Sequence, residues 1–185
     1  MEFSNEEKNF LLKLARRSIK TGLSGENFSI SEEEIKGEKL KEKLACFVTL
    51  EIDGSLRGCI GHLEPVQELY KDVIENAQKA AFQDPRFPAL TPEEFEKIEI
   101  EISVLTLPEK FEYKSEEELL KYLQNKKPGV ILGHGYSQAT YLPSVWEQIP
   151  EPEEFLSQLC QKAGLPPSAW EEEIEIQTYE TIKIS

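Results

Sequence analysis

The sequence predicts an α+β fold, a mainly antiparallel sheet with packed helices. Three observations carry this. Ile98, Ile100, Ile102 and Val104 alternate with Glu99, Glu101 and Ser103, the mark of a strand with one buried and one wet face. Asp53-Gly54 separates two short apolar runs, a two-residue hairpin signal. Helical patterns are interspersed among the strands, but hairpins join strands as well as helices do, which disfavours a doubly wound parallel sheet.

The elements follow in order. Ser4 and Glu7 fit a capping box ahead of the stripe Phe10, Leu11, Leu14 and Ala15, giving a helix over 4–20. Residues 21–43 form a long polar surface connection containing Gly22, Gly25 and Gly37, with a short helix near Glu32; a lid is the functional alternative. Residues 45–52 and 56–60 are the hairpin strands. Pro65 suits the first turn of a helix that continues through Val66, Leu69, Val73, Ala77 and Ala80 and ends by Asp84-Pro85. The segment 84–92 holds three prolines and reads as an ordered, irregular loop, after which Thr91-Pro92-Glu93-Glu94 opens a short helix. Ser115 and Glu118 fit another capping box before Leu119, Leu120 and Leu123. Residues 130–132 form a short strand, Gly133-His134-Gly135 turns the chain, and 139–142 runs back. Phe155, Leu156, Leu159 and Ala163 mark a last helix stopped by Gly164, and 174–184 supplies a final strand or two.

A chain of 185 residues suits one domain, 1–185. Thirty-five acidic against 21 basic residues leave a net charge of −14. That balance argues against nucleic acid, whose phosphates must be neutralised by Lys and Arg, and against an anionic membrane surface. Arg16, Arg17 and Lys20 form the compact basic cluster and read as a solvated helix face. No apolar run approaches the ~18 residues of a membrane span. The N-terminal segment lacks the basic-then-apolar layout of a secretory leader, and Cys46, Cys59 and Cys160 make no disulfide framework, so a cytoplasmic protein with reduced thiols is expected.

The densest constellation for chemistry is Leu56-Arg57-Gly58-Cys59-Ile60-Gly61-His62-Leu63-Glu64-Pro65. Gly58 and Gly61 allow a sharp bend and close approach of a ligand. Arg57 and the N-terminus of the following helix favour a thiolate at Cys59. His62, three residues on, is a candidate base, and Glu64 adds a carboxylate. In the competing reading Cys59 is a small buried hydrophobe and the glycines serve only a turn. Cys-x-x-His offers two ligands where a stable zinc site wants three or four, so no metal is expected. Cys46 and Cys160 read as core. Asp84-Pro85-Arg86-Phe87-Pro88 is the second candidate: an Asp–Arg pair that pins the loop, or an Arg86 fork that clamps a carboxylate or phosphate. Tyr141 and Trp146 are core residues or the lining of an apolar pocket. No phosphate loop, dinucleotide fingerprint or nucleophile elbow is present, which leaves the cofactor undefined.

At these same residues the sequence resembles the AMMECR-type domain family, called AmmeMemoRadiSam system protein A in prokaryotes. The resemblance rests on Leu56-Arg57-Gly58-Cys59-Ile60-Gly61. It extends through Ala80-Ala81-Phe82 with Asp84-Pro85-Arg86-Phe87-Pro88-Ala89-Leu90, Ile100-Glu101-Ile102-Ser103-Val104-Leu105, Gly129-Val130-Ile131-Leu132, Ala139-Thr140-Tyr141-Leu142-Pro143, Val145-Trp146-Glu147-Gln148 and Lys162-Ala163-Gly164-Leu165. These blocks keep their order over residues 6–182. The resemblance implies an α+β fold with a large and a small subdomain. It also implies association with a Memo-type protein, itself similar to extradiol dioxygenases, and with a radical SAM protein in a shared modification or redox pathway. The hallmark carries over onto Arg57, Gly58, Cys59 and Gly61, and the second block onto Asp84, Pro85 and Arg86; His62 and His134 fall outside the matched blocks.

Two functions are expected from this. One is a binding or accessory component that presents the Cys59 and 84–88 segments to those partners. The other is a thiol-dependent enzyme using Cys59 as nucleophile or redox residue, with Arg57 or Arg86 holding a small anionic substrate and His62 or Glu64 moving a proton. The acid is concentrated in runs at 32–34, 116–118, 151–154 and 171–173, away from these segments, which leaves room for a small anionic ligand.

Overall fold

The computed structural model describes residues 2–172 and 174–185; Met1 and Glu173, the last of the 171–173 acidic run, lie outside the described residues. The helices are α1 (Asn5–Ser24), α2 (Leu69–Phe82), α3 (Pro92–Phe95), α4 (Glu116–Lys126) and α5 (Pro152–Lys162). The strands are β1 (Cys46–Ile52), β2 (Ser55–Gly61), β3 (Glu99–Leu105), β4 (Glu109–Lys110), β5 (Gly129–His134), β6 (Ser137–Tyr141), β7 (Glu175–Tyr179) and β8 (Thr181–Ile184). They divide into two compact units, Met1–Thr106 with Ile182–Ser185, and Leu107–Thr181. No helix of the described residues is long and apolar enough to cross a membrane.

In the first unit the sheet order is β2-β1-β3-β8. Asp53 and Gly54 both take positive φ, 53° and 73°, as the tight β1–β2 turn requires. β1 pairs antiparallel with β2 and β3, with Thr49 opposite Cys59 on one side and Glu101 on the other. Alternation then sorts the side chains. Cys46, Val48, Leu50, Ile102 and Val104 face the core that α1 and α2 cover; Cys59, Thr49 and Glu101 form a row across the opposite face. α1 carries the full Ser4–Glu7 capping box and runs four residues past the expected end at 20, to the left-handed Gly25. The 21–43 connection holds two 3₁₀ turns, Glu32–Glu34 and Glu38–Lys41, and buries Ile35 and Leu40 in the core. It is therefore anchored rather than the solvated surface connection expected.

α2 begins at Leu69, not at Pro65. Glu68 bridges Lys43, and Leu69 N–H donates to the Glu42 carbonyl (2.9 Å), so residues 62–67 form a loop with bends at 63–64 and 67 before the helix starts. α2 packs closely on β2 at Gly58: a Cβ built there would collide with the Ala80 carbonyl oxygen.

The second unit has the sheet order β4-β7-β5-β6, with α4 and α5 supplying Leu119, Leu123, Phe155, Leu156 and Leu159 to its core. Ser115 caps α4, but Glu118 reaches the Lys114 N–H (2.9 Å) rather than the Ser115 N–H that a capping box requires. β5 continues through Gly133 and His134, so the hairpin turns at Gly135-Tyr136, later than expected. The last segment contributes to both sheets, β7 to the second and β8 to the first.

The Gly58 contact predicts that Gly58→Ala is destabilising by about 1–3 kcal/mol, because backbone cannot yield as a flexible side chain would. Gly133→Ala, with nothing within 4 Å of its new methyl, is the control and loses no stability. Urea unfolding of the two variants measures the difference; equal midpoints would contradict the packing role.

Candidate functional site

The hallmark residues of β2 are held from one side by the 84–95 segment. Arg57 is 7% exposed. Its Nε and Nη2 fork onto the two Glu94 carboxylate oxygens (2.8 and 2.9 Å), and Nη2 also donates to the Pro88 carbonyl (2.9 Å). Glu94 stands at the third position of α3, where its carboxylate also accepts the Thr91 N–H (2.9 Å). The Arg57 fork, followed by that Thr91 bond, holds its carboxyl down to about 2. The anion expected at Arg57 is thus supplied by the chain's own Glu94. Arg57 Nη1 is buried without a hydrogen-bond partner among the described residues.

β2 is the edge of its sheet, and Cys59 is where that edge is sealed. Buried Asp84 accepts the Cys59 N–H (2.9 Å), and Arg86 Nη2 donates to the Cys59 carbonyl (3.2 Å). Asp84 and Arg86 are themselves paired through Nε–Oδ1 (2.9 Å) and Nη2–Oδ2 (2.7 Å). Together they mimic the donor and acceptor of a neighbouring strand. The Arg86 guanidinium, then the N–H groups of Cys59 and Arg86, hold the Asp84 carboxyl well below the usual carboxylate range. The Phe87 ring lies under both guanidinium groups, 5.7 Å from that of Arg57 and 5.6 Å from that of Arg86. Of the two readings of the 84–88 segment, the structure forms the pin.

The Cys59 thiol is half-buried and accepts a hydrogen bond from Thr49 Oγ1 (3.3 Å). The glycines beside it leave no room for a ligand at their own Cα: Gly58 faces Ala80, and a Cβ on Gly61 would strike the Cys46 carbonyl and Phe47. His62 is not the partner of Cys59. It extends the β1 pairing, donating its N–H to the Cys46 carbonyl (3.1 Å), and an odd spacing along a strand places it on the other face. There Nδ1 lies 2.5 Å from Asp72 Oδ1. Glu64 is exposed in the loop before α2. Because α2 starts only at Leu69, the expected helix N-terminus just past Cys59 is absent, and the first turn of α2 carries Asp72 instead.

Asp72 and Asn76 are buried polar groups that the sequence reading missed. Asp72 Oδ2 accepts from the Cys46 N–H (3.0 Å), the Cys46 thiol (3.3 Å) and Asn76 Nδ2 (3.0 Å). Burial first, and then the Asp72 charge, pushes the Cys46 thiol well up. Cys46 is core, as expected, yet it also belongs to this network. A signal existed: Asp72 and Asn76 sit at i, i+4 within the stripe Leu69, Val73, Ala77 and Ala80, where two polar residues on an apolar face need a reason. Tyr141 belongs to the second unit. It meets Phe155 edge-on at 5.3 Å, beside the Trp146–Phe155 stack at 3.7 Å, and Lys162 Nζ lies 4.8 Å from its ring centre. Trp146 is core.

Comparison with known proteins agrees with this architecture. The family model AMMECR1 matches residues 12–184. Protein MK0488 of Methanopyrus kandleri is 42% identical over 174 residues, covering 89% of this chain and 81% of that protein. Protein MJ0810 of Methanocaldococcus jannaschii is 39% identical over 172 residues, covering 89% and 82%. The crystal structure of uncharacterized protein PH0010 from Pyrococcus horikoshii superposes with a TM-score of 0.80 at 34% identity, covering 99% of this chain and 93% of that one.

The Arg57–Glu94 fork has a pH signature. A carboxyl depressed in the folded state stabilises above its unfolded value, here 4.5, and loses that contribution as pH falls towards about 2. Glu94→Gln is therefore less stable than the parent by about 2 kcal/mol at pH 7, with the gap narrowing below pH 4. Urea midpoints against pH measure it; a gap independent of pH would contradict the ion pair.

Proposed function

The chain belongs to the AMMECR1 family, and from that premise we propose that it is a binding or accessory component, working with a Memo-like protein and a radical SAM protein in a modification or redox pathway. One observation carries the reading. The hallmark residues are used within the fold: Arg57 on Glu94, Gly58 on Ala80, the Cys59 backbone on Asp84 and Arg86, and Gly61 on Cys46 and Phe47. They build a rigid edge whose outward features are the half-buried Cys59 thiol and the half-exposed Arg86. Among the described residues no acid–base side chain is hydrogen-bonded to the thiol. A preformed surface of this kind suits recognition, because little conformational entropy is lost on binding. A small anionic ligand, or an acidic group of a partner, would find its contact at Arg86.

The Thr49–Cys59 hydrogen bond supports a second reading, a thiol-dependent enzyme. The hydroxyl donates to the sulfur and fixes its position, as a nucleophile requires.

The two readings predict different things. As a recognition surface, the chain forms a complex with the Memo-like and radical SAM proteins that survives Cys59→Ala, and Cys59 alkylates no faster than a free cysteine at pH 7. As an enzyme, it has a Cys59 that alkylates faster than free cysteine and is slowed by Thr49→Val. Co-purification paired with iodoacetamide labelling rates separates them, and failure to bind either partner would remove the first reading.

A further inference from the structure

His62 sits on a buried carboxylate on the α2 side of the sheet, away from the Cys59 face. Asp72 is 1% exposed. Four donors converge on it: the Cys46 N–H, the Cys46 thiol, Asn76 Nδ2 and, on Oδ1, Gln67 Nε2 (3.2 Å). Asn76 Nδ2 also lies 3.4 Å from His62 Nδ1, but its two hydrogens go to Asp72 Oδ2 and the Cys46 carbonyl (3.2 Å); with the carboxylate as acceptor, the 2.5 Å contact with His62 has Nδ1–H as its donor. A neutral imidazole that keeps its proton at Nδ1 carries its lone pair at Nε2. The His62 side chain is 28% exposed, and its loop presents Leu63 and Val66 to solvent.

We propose that His62 Nε2 is a proton-accepting site, positioned by Asp72, for a neutral or cationic O–H or N–H donor on a partly apolar molecule. The Nε2 lone pair takes the proton, and the electron pair of the broken bond stays on the donor oxygen or nitrogen. The imidazolium charge is balanced by Asp72 behind it. Return of the proton to product or water restores the site, and no oxidant or reductant takes part. Charge selects the substrate class. Glu75 accepts from Gln67 (2.6 Å) and its own lysine, Lys79, is tied to it (2.5 Å), while Lys71 is tied to Glu68 (2.8 Å). Glu64 is a further exposed carboxylate in the loop. Glu75 and Glu64 thus place carboxylates around the imidazole, and Lys71 and Lys79 are held by Glu68 and Glu75, which disfavours an anion. The exposed Leu63 and Val66 supply the apolar contact. This site does not rest on the partner reading of the Cys59 surface.

Nitrogen-15 NMR of the unaltered chain, with His134→Gln to assign the two rings, reads the tautomer directly. His62 is expected protonated at Nδ1 and bare at Nε2, the reverse of free histidine; a dominant Nε2–H form would overturn the proposal. Diethyl pyrocarbonate, a neutral acylating probe, is expected to modify His62 faster than N-acetylhistidine, and Asp72→Asn to slow it by about tenfold. A rate no faster than N-acetylhistidine would also overturn it. Phosphoramidate, an anionic phosphoryl donor whose phosphorus the same nitrogen attacks with release of ammonia, is expected to show no such acceleration; acceleration would overturn the assigned substrate class. Should Asp72→Asn fail to fold, the tautomer of the parent chain still decides.

Discussion

An edge strand presents main-chain groups that no other strand of its sheet can satisfy, and in this protein a carboxylate and a guanidinium two residues apart satisfy them at Cys59. Much of the first unit is tied to that solution. The 83–91 connection folds on Asp84, which accepts from the Arg86 guanidinium and from the Arg86 and Phe87 N–H groups, and it grips its neighbours: β2 through Asp84 and Arg86, α2 through the Leu90 N–H on the Ala81 carbonyl (2.8 Å), and Arg57 through Pro88. Its prolines lower the entropy that the unfolded connection would otherwise lose on folding. Arg57 then carries the constraint on to Glu94, whose second task is to cap α3. β2, the connection and α3 are thereby one tied body, with a thiol at its centre.

The local elements were legible where periodicity and capping chemistry speak. The Ile98–Val104 alternation is β3, and the Ser4–Glu7 and Thr91–Glu94 boxes cap α1 and α3. The pinning role of Asp84 and Arg86 was legible as one of two options, since adjacent opposite charges around a proline have few other ways to meet. What depends on distant pairing was not. That β7 and β8, adjacent in the chain, join different sheets cannot be read from a run of β-formers. Nor can the start of α2 at Leu69, which is set by Glu42 and Lys43 far upstream. The pairing of His62 with Cys59 failed for a local reason. Three residues bring side chains together on a helix, but on a strand they separate them to opposite faces.

The net charge of −14 also takes a sharper form. The cations near the candidate site are committed: Arg57 to Glu94, Arg86 to Asp84, Lys71 to Glu68 and Lys79 to Glu75. Among the described residues no open basic patch forms there. Half-exposed Arg86 is the one guanidinium of the edge accessible to an anion, and it shares its charge with Asp84. The two faces of the sheet therefore differ in chemistry, a thiol beside an arginine on one and an imidazole amid carboxylates on the other.

The central claim is that Asp84 and Arg86 stand in for a neighbouring strand at Cys59. Native-state hydrogen exchange of the Cys59 amide tests it most directly. With the carboxylate accepting that N–H, the amide should be protected to the level of the interior amides of β1, and Asp84→Ala, which has no acceptor, should remove that protection while leaving the β1 amides slow. A Cys59 amide that exchanges in the parent chain as fast as an open edge amide would contradict the account.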